Sequence, residues 1–236
     1  MPLDHHMTMV LRFFAHLVLA TSLAAPAWAD VSAVGRLENT STNQTCSGAL
    51  VSPRHVLTAA HCIGALRNAE DVSNAEILFR PGALKNGPVF RVTDVAMHPL
   101  FKQPLAQNRW KLRFDMALFT LGAEVPAPVG KALLPGREAE VGETLFLVSW
   151  RAGAPAPPRQ RACEVVDGVE GLVTVACAVA GGESGAPLLR KTQAGLELVA
   201  VLSSSSSQGQ QPVGLASDVA LRLPPLQSAV SAAEGS

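Results

Sequence analysis

The sequence predicts an all-β fold, a barrel or a sandwich of short strands. Apolar runs of about four to eight residues recur along the chain, each closed by Gly, Pro, Ser or Asn. Helical periodicity is almost absent, so these runs do not read as the buried stripes of amphipathic helices. The segment beyond the N-terminal leader, about 200 residues, is long enough to bury a good core as one domain or two packed halves.

The leader itself reads as a targeting segment. Val10 to Ala25 is largely apolar, and the run ends in Ala27-Trp28-Ala29, a small-x-small pattern suited to signal peptidase. Cleavage is expected after Ala29, giving a signal peptide over 1–29 and a mature domain over 30–236. Asp4, His5 and His6 dilute the charge of its first residues, and a start at Met7 or Met9 gives a cleaner signal. An uncleaved anchor is disfavoured, because the run is short for a spanning helix and carries Arg12 and His16.

In the mature part, residues 30–45 are small and polar and read as a strand edge and loop, with Asn39 and Asn43 in N-x-S/T sequons. Ser47 to Val51 and His55 to Thr58 flank Pro53-Arg54, a hairpin signal. Ile77 to Phe79 ends at Pro81-Gly82, Val89 to Val95 alternates, and Met116 to Phe119 is a buried run closed by Gly122. Residues 123–142, rich in proline, read as the connection between an N-terminal half (about 30–122) and a C-terminal half (about 143–236). Strands then follow at Thr144 to Trp150, Ala162 to Val166, Leu172 to Ala176, Leu188-Leu189, Leu196 to Leu202 and Val213 to Ser217. The five serines from Ser203 to Ser207 read in isolation as a flexible low-complexity loop. Val219 to Ala233 is the plausible helix, with Pro224-Pro225 confining it to a short final piece.

Charge and cysteines narrow the function classes. With 19 basic and 19 acidic residues and no Lys/Arg cluster, a nucleic acid or an anionic membrane surface is not the expected partner. The chain has 4 cysteines behind an export signal, which indicates two disulfides in an oxidising compartment. Of the three pairings, Cys46–Cys62 and Cys163–Cys177 are preferred because each closes a short segment. Zinc is the weaker reading, since no two cysteines have close ligand spacing.

Three stretches carry chemistry. Leu57-Thr58-Ala59-Ala60-His61-Cys62 puts an imidazole after a buried strand, beside a cysteine that can tie the turn down. Phe114-Asp115-Met116-Ala117-Leu118 leads an acid directly into a buried strand, and Gly181-Gly182-Glu183-Ser184-Gly185-Ala186-Pro187 sets a serine in a tight glycine turn. Acyl transfer needs these types. A serine hydroxyl needs a neighbouring base, the base needs a buried carboxylate to orient it, and glycines let backbone N–H groups converge on an oxyanion. Each residue also has a plain structural reading: a core histidine beside a disulfide, a strand-capping acid, a serine in a turn. Asp71 and Asp94 are rival orienters, Asp167 lies out of order, and His55 and His98 are rival bases that look like turn residues.

Together and in this order, the stretches resemble the signatures of the trypsin/chymotrypsin-like serine peptidases. Cys46-Ser47-Gly48 with Cys62 resembles the disulfide bracing the histidine loop, and Met97-His98-Pro99, Ser149-Trp150, Leu198 to Ser203 and Gly214 to Val219 resemble further family elements. The resemblance implies two packed six-stranded antiparallel β-barrels with the site between them, followed by a short C-terminal helix. It implies His61, Asp115 and Ser184 as the triad, with the N–H groups of Gly182 and Ser184 as the oxyanion hole. Ala178, Ser203, Ser205 and Gly214 fall at the substrate pocket. The expectation is a secreted or periplasmic serine endopeptidase acting on protein or peptide, monomeric, with no metal, no cofactor and no lasting membrane anchor.

The departures are informative. The animal digestive pattern begins Ile-Val-Gly-Gly and pairs that terminus with an aspartate before the serine. Here stand Ala33-Val34-Gly35-Arg36 and Glu183, which resembles the bacterial branch. Ala178 stands where trypsin has its pocket aspartate, and Leu202 where glutamate-specific members have a histidine. Ser203-Ser204-Ser205 replaces the usual Ser-Trp-Gly, so a small or medium apolar residue is expected before the scissile bond. A catalytically silent binding module of the same fold is the alternative. An α/β-hydrolase esterase would need Ser before His and alternating helices, and neither is present.

Overall fold

The computed structural model describes residues 31–39, 41–66, 76–82, 86–103, 108–153 and 158–234. The segment read as a leader, with its expected cleavage at Ala29, and the rival acid Asp71 lie outside the described residues.

Six antiparallel strands close the first barrel: β1 (Val34–Asn39), β2 (Gln44–Ser52), β3 (His55–Thr58), β4 (Ile77–Pro81), β5 (Phe90–Met97) and β6 (Ala117–Leu121), in the order β1-β2-β3-β6-β5-β4. The β2–β3 hairpin turns at Pro53-Arg54, as its sequence predicts. Leu37, Leu50, Leu57, Phe79, Phe119 and Leu121 fill the interior. The sequence reading of residues 30–45 as an edge needs correction. β1 is paired on both sides, to β2 and to β4. Its polar appearance arises because Arg36 and Glu38 point outward between the buried Val34, Leu37 and Asn39. Asn39 is wholly buried, donates its Nδ2 to Leu66 O at 2.7 Å and accepts from Ser41 N at 2.8 Å. Its sequon is thereby engaged internally, whereas Asn43 is exposed.

The second half contains β7 (Leu134–Pro135), β8 (Thr144–Ser149), β9 (Arg159–Val169), β10 (Leu172–Val175), β11 (Pro187–Thr192), β12 (Gly195–Gln208) and β13 (Gln211–Asp218). The order β11-β8-β9-β10-β13-β12, with β11 also paired to β12, closes six of them into a second antiparallel barrel. β7, inside the proline-rich connection, adds a short parallel pairing to β12. Leu145, Leu147, Val173, Val175, Leu188, Val199 and Leu202 form its core. The five serines are not a loop: Ser204 to Ser207 pair with Leu215 to Pro212 of β13.

A helix (Val219–Glu234) ends the described chain, and both prolines lie inside it rather than limiting it. Asp218 accepts from Leu221 N at 3.1 Å and caps its start. Leu223, Leu226 and Val230 bury against the core of the first barrel. At about 1.5–3 kcal/mol per buried side chain, that packing offsets the bonds the prolines cannot donate. Both preferred disulfides are present, Cys46–Cys62 and Cys163–Cys177. Among the described residues no helix is long and apolar enough to cross a membrane.

Candidate active site between the barrels

His61 opens a short helix, α1 (His61–Leu66), directly after β3, with Cys62 fixing its first turn to β2 through the disulfide. Asp115 follows a 3₁₀ turn (Leu112–Phe114) and precedes β6, which pairs with β3 from His55↔Thr120 to Thr58↔Ala117. That register places the end of β3 beside the start of β6, so the two side chains meet. The His61 N–H donates to Asp115 Oδ1 at 2.8 Å, and His61 Nδ1 lies 2.6 Å from Asp115 Oδ2. A carboxylate only accepts, so Nδ1 carries the hydrogen and Nε2 presents its lone pair. Ser203 Oγ donates to the same Oδ2. Asp115 is 1 % exposed, and its loop is braced by Ser217 Oγ, which donates to Leu112 O at 2.6 Å.

Burial of the imidazole works against its charged form. The hydrogen bond and the charge of Asp115 outweigh it and hold the His61 pKa above the ordinary histidine value. The rivals fall away on geometry. His55 sits at the opposite end of β3, its Nδ1 2.8 Å from Ser52 Oγ, while His98 caps a 3₁₀ turn by accepting from Leu100 N. Asp94 is exposed on β5.

Ser184 arrives from the other barrel on the turn before β11. Ser47 N donates to Ser184 O at 2.7 Å, and Gly185 N to Leu202 O at 2.7 Å. Gly185 has φ +77°, and a Cβ there would lie 2.0 Å from Thr58 Oγ1 and 3.0 Å from Ala59 N. The serine turn therefore presses directly on the segment leading into His61, and only glycine permits that approach. Gly182 has φ +87°, and a Cβ there would meet Ala152 N at 2.3 Å. Among the described residues no acceptor takes the N–H of Gly182 or of Ser184, while those of Glu183, Gly185 and Ala186 are all bonded.

Glu183 anchors this turn from below. Its carboxylate is wholly buried and accepts from Arg161 Nη1 and Nη2 at 2.9 and 2.7 Å, from Ser149 Oγ at 2.9 Å and from Ala180 N at 2.8 Å. Burial pushes its pKa up, but these donors prevail and hold it below the ordinary carboxylate value. Ala33 and Val34, by contrast, are buried within the first barrel, with Ala33 O accepting from Leu50 N. The Ala33-Val34-Gly35 stretch is thus not a partner of Glu183.

The residues expected at the substrate pocket divide. Ser203 is 2 % exposed and turns its hydroxyl to Asp115, not outward. Ser205 is exposed and pairs with the buried Gly214 across β12–β13, and Ala178 is exposed nearby in sequence to the disulfide Cys177. Beside Gly214 the space is filled by Leu202, Val175 and Val179, all aliphatic.

Sequence reasoning missed two connecting residues. Ser47 donates its Oγ to Gly182 O at 3.1 Å, accepts from Trp150 N at 3.0 Å, and its carbonyl accepts from Thr58 Oγ1 at 2.7 Å. Arg161 was visible only as a polar residue two before Cys163 in an alternating run, a spacing that puts both on one face of β9. No group of three metal-ligating side chains occurs among the described residues.

The trypsin family model matches residues 25–223 of the chain. "Trypsin Tyr p 3.0101" of Tyrophagus putrescentiae is 30% identical over 112 residues, 46% of this chain and 37% of that protein. "Trypsin" of Simulium vittatum is 30% identical over 98 residues, 42% of this chain and 35% of that protein. These alignments thus span little more than a third of the curated relatives' own length. Among solved structures, a Glu endopeptidase in complex with MPD superposes with a TM-score of 0.67 at 16% identity, over 85% of this chain and 91% of that one, a likeness of fold. The chain is a member of the trypsin family of serine peptidases.

Proposed function

We propose that this protein is an exported serine endopeptidase that cleaves peptide bonds through an acyl-enzyme. Ser184 Oγ attacks the peptide carbonyl, His61 Nε2 takes its proton and returns it to the leaving amine, and Asp115 holds the Nδ1–H tautomer. The N–H groups of Gly182 and Ser184 receive the oxyanion, a contribution of about a hundred- to a thousand-fold in rate per donor. The observation that carries this reading is the His61–Asp115–Ser203 bond set, beside a glycine turn that packs on Thr58 and Ala59 and whose Gly182 and Ser184 N–H groups have no acceptor among the described residues. Metal and cofactor have no part in these steps. The aliphatic surroundings of Gly214 and the absence of a charge at Ala178 and Leu202 support an apolar residue before the scissile bond. Export, with maturation by signal removal as in the bacterial branch, is supported by the leader sequence, by the two disulfides and by Glu183 already having its cation in Arg161. A monomer is the working state. In the test, purified mature protein and its Ser184→Ala variant are compared on a peptide library. The reading expects cleavage that the variant loses at unchanged melting temperature; equal cleavage by both proteins overturns it.

A further inference from the structure

The reading of the site as a peptidase leaves one neighbouring cleft unexplained. It has a volume of about 320 Å³ and is walled by Phe101, Lys111 and Leu112 on one side and by His61, Ser203 and Ser204 on the other. Its chemistry is asymmetric. Phe101 and Leu112 supply a half-buried apolar wall, and the Lys111 ammonium lies 4.6 Å from the centroid of the Phe101 ring. No carboxylate among the described residues pairs with Lys111. Asp115 closes the base of the cleft, but both its oxygens are occupied by His61 and Ser203. Arg113, on the same turn, is directed away: it stacks on Trp110 and pairs with Glu170 at 2.7 Å. The charge that a side chain entering this cleft meets first is therefore the Lys111 ammonium, over an apolar wall.

The topology says which substrate side chain enters. β11 covers β12 only as far as Pro187↔Val201, and Leu202 is held by Ala186 and Gly185. From Ser203 onward the described pairings of β12 are to β13 alone. Among the described residues nothing pairs with the other edge of Ser203–Gln208, which an extended peptide can join as a strand. Along such a strand side chains alternate between faces. Ser204 lines the cleft while Ser205 and Gly214 do not, so a substrate whose residue before the scissile bond faces Ser205 and Gly214 turns its next residue upstream to the cleft beside His61.

We propose that Lys111, with Phe101, is a specificity-determining residue that selects an acidic side chain, glutamate or aspartate, at the second residue upstream of the scissile bond. The methylenes pack on Phe101 and Leu112, and the carboxylate meets the ammonium. A partly exposed ion pair of this kind is worth up to about a fivefold preference. The inference rests on the peptidase reading, and its test separates the two. Matched fluorogenic peptides carrying Glu, Gln or Lys at that position are assayed for kcat/KM with wild type, Lys111→Gln and Lys111→Glu. In parallel, anisotropy measures their binding to the Ser184→Ala protein. The expected result is a Glu-to-Gln ratio of about five in wild type, falling towards one in Lys111→Gln and with raised salt, and a preference for Lys over Glu in Lys111→Glu. Turnover with a ratio that Lys111 does not control overturns the subsite. Binding that prefers Glu without any turnover overturns the peptidase reading and keeps the subsite. Binding without that preference overturns the subsite in either case.

Discussion

Replacing Arg161 by Met tests how the serine turn is held. Arg161 supplies two of the hydrogen bonds to Glu183, and its side chain is 20 % exposed while that of Glu183 is wholly buried. Breaking a buried ion pair by deleting one partner typically costs about 3–5 kcal/mol, because the remaining charge is left in a poor solvent. Here the cost is reduced. Arg161 is not fully desolvated, Ser149 and Ala180 still donate, and Arg151 Nε stands 3.5 Å away. A loss of about 2–3 kcal/mol is expected, a shift of about 1–1.5 M in the urea midpoint for an m-value near 2 kcal/mol/M. The pH dependence has a definite sign. Glu183 has a folded pKa below its unfolded one, so its contribution is present above the unfolded value of 4.5 and is lost as pH falls through the folded value. The difference between wild type and Arg161→Met must therefore be full at neutral pH and shrink in acid. Adding Glu183→Gln to Arg161→Met should recover part of the loss, since the orphaned charge goes with it. The reasoning is refuted if Arg161→Met unfolds at the wild-type midpoint, or if the deficit is the same at pH 7 and in acid.

Three further predictions concern the proposed base His61, its partner Asp115 and the second disulfide. The raised His61 pKa means that the base is still protonated somewhat above the ordinary histidine value, so the acid limb of kcat/KM should lie above 6.5. Asp115→Asn removes the raising influence and leaves burial, which moves the limb below that value and lowers the rate by about 10⁴-fold through loss of the correct tautomer; a pH–rate profile shows both. Replacing Cys163 and Cys177 by Ala opens a crosslink of sequence separation 14 and should cost about 3 kcal/mol in a denaturant melt, where a change under about 1 kcal/mol would contradict the estimate.

Much of this architecture can be read along the chain because a strand that faces a core announces itself locally. Leu57 and Leu50, Phe79 and Phe119 sit in apolar runs bounded by turn residues, and the hairpin at Pro53-Arg54 follows from them. The proposed triad is equally local in its signals: a histidine braced by Cys62, an acid entering a buried strand, a serine between glycines. What escaped the sequence depends on partners distant in it. Ser47 bonds Gly182 across 135 residues and Trp150 across 103, and Arg161 meets Glu183 across 22. β1 reads as a loop because its outward positions are charged. The five serines read as a flexible loop because Ser205 to Ser207 face solvent and need no apolar pattern when β13 supplies the strand's hydrogen bonds, while Ser203 is buried on a polar contact to Asp115 rather than an apolar one. The helix over Pro224-Pro225 survives on the burial of Leu223, Leu226 and Val230, which local propensity does not contain.

The account rests on Ser184 being an activated nucleophile, and covalent modification measures that directly. Wild-type mature protein treated with a fluorophosphonate should gain one adduct by intact mass, mapped to the peptide containing Ser184, at a rate that falls as His61 protonates. Ser184→Ala should gain none. A folded wild type that gains no adduct, or an adduct that persists in Ser184→Ala, contradicts the central claim.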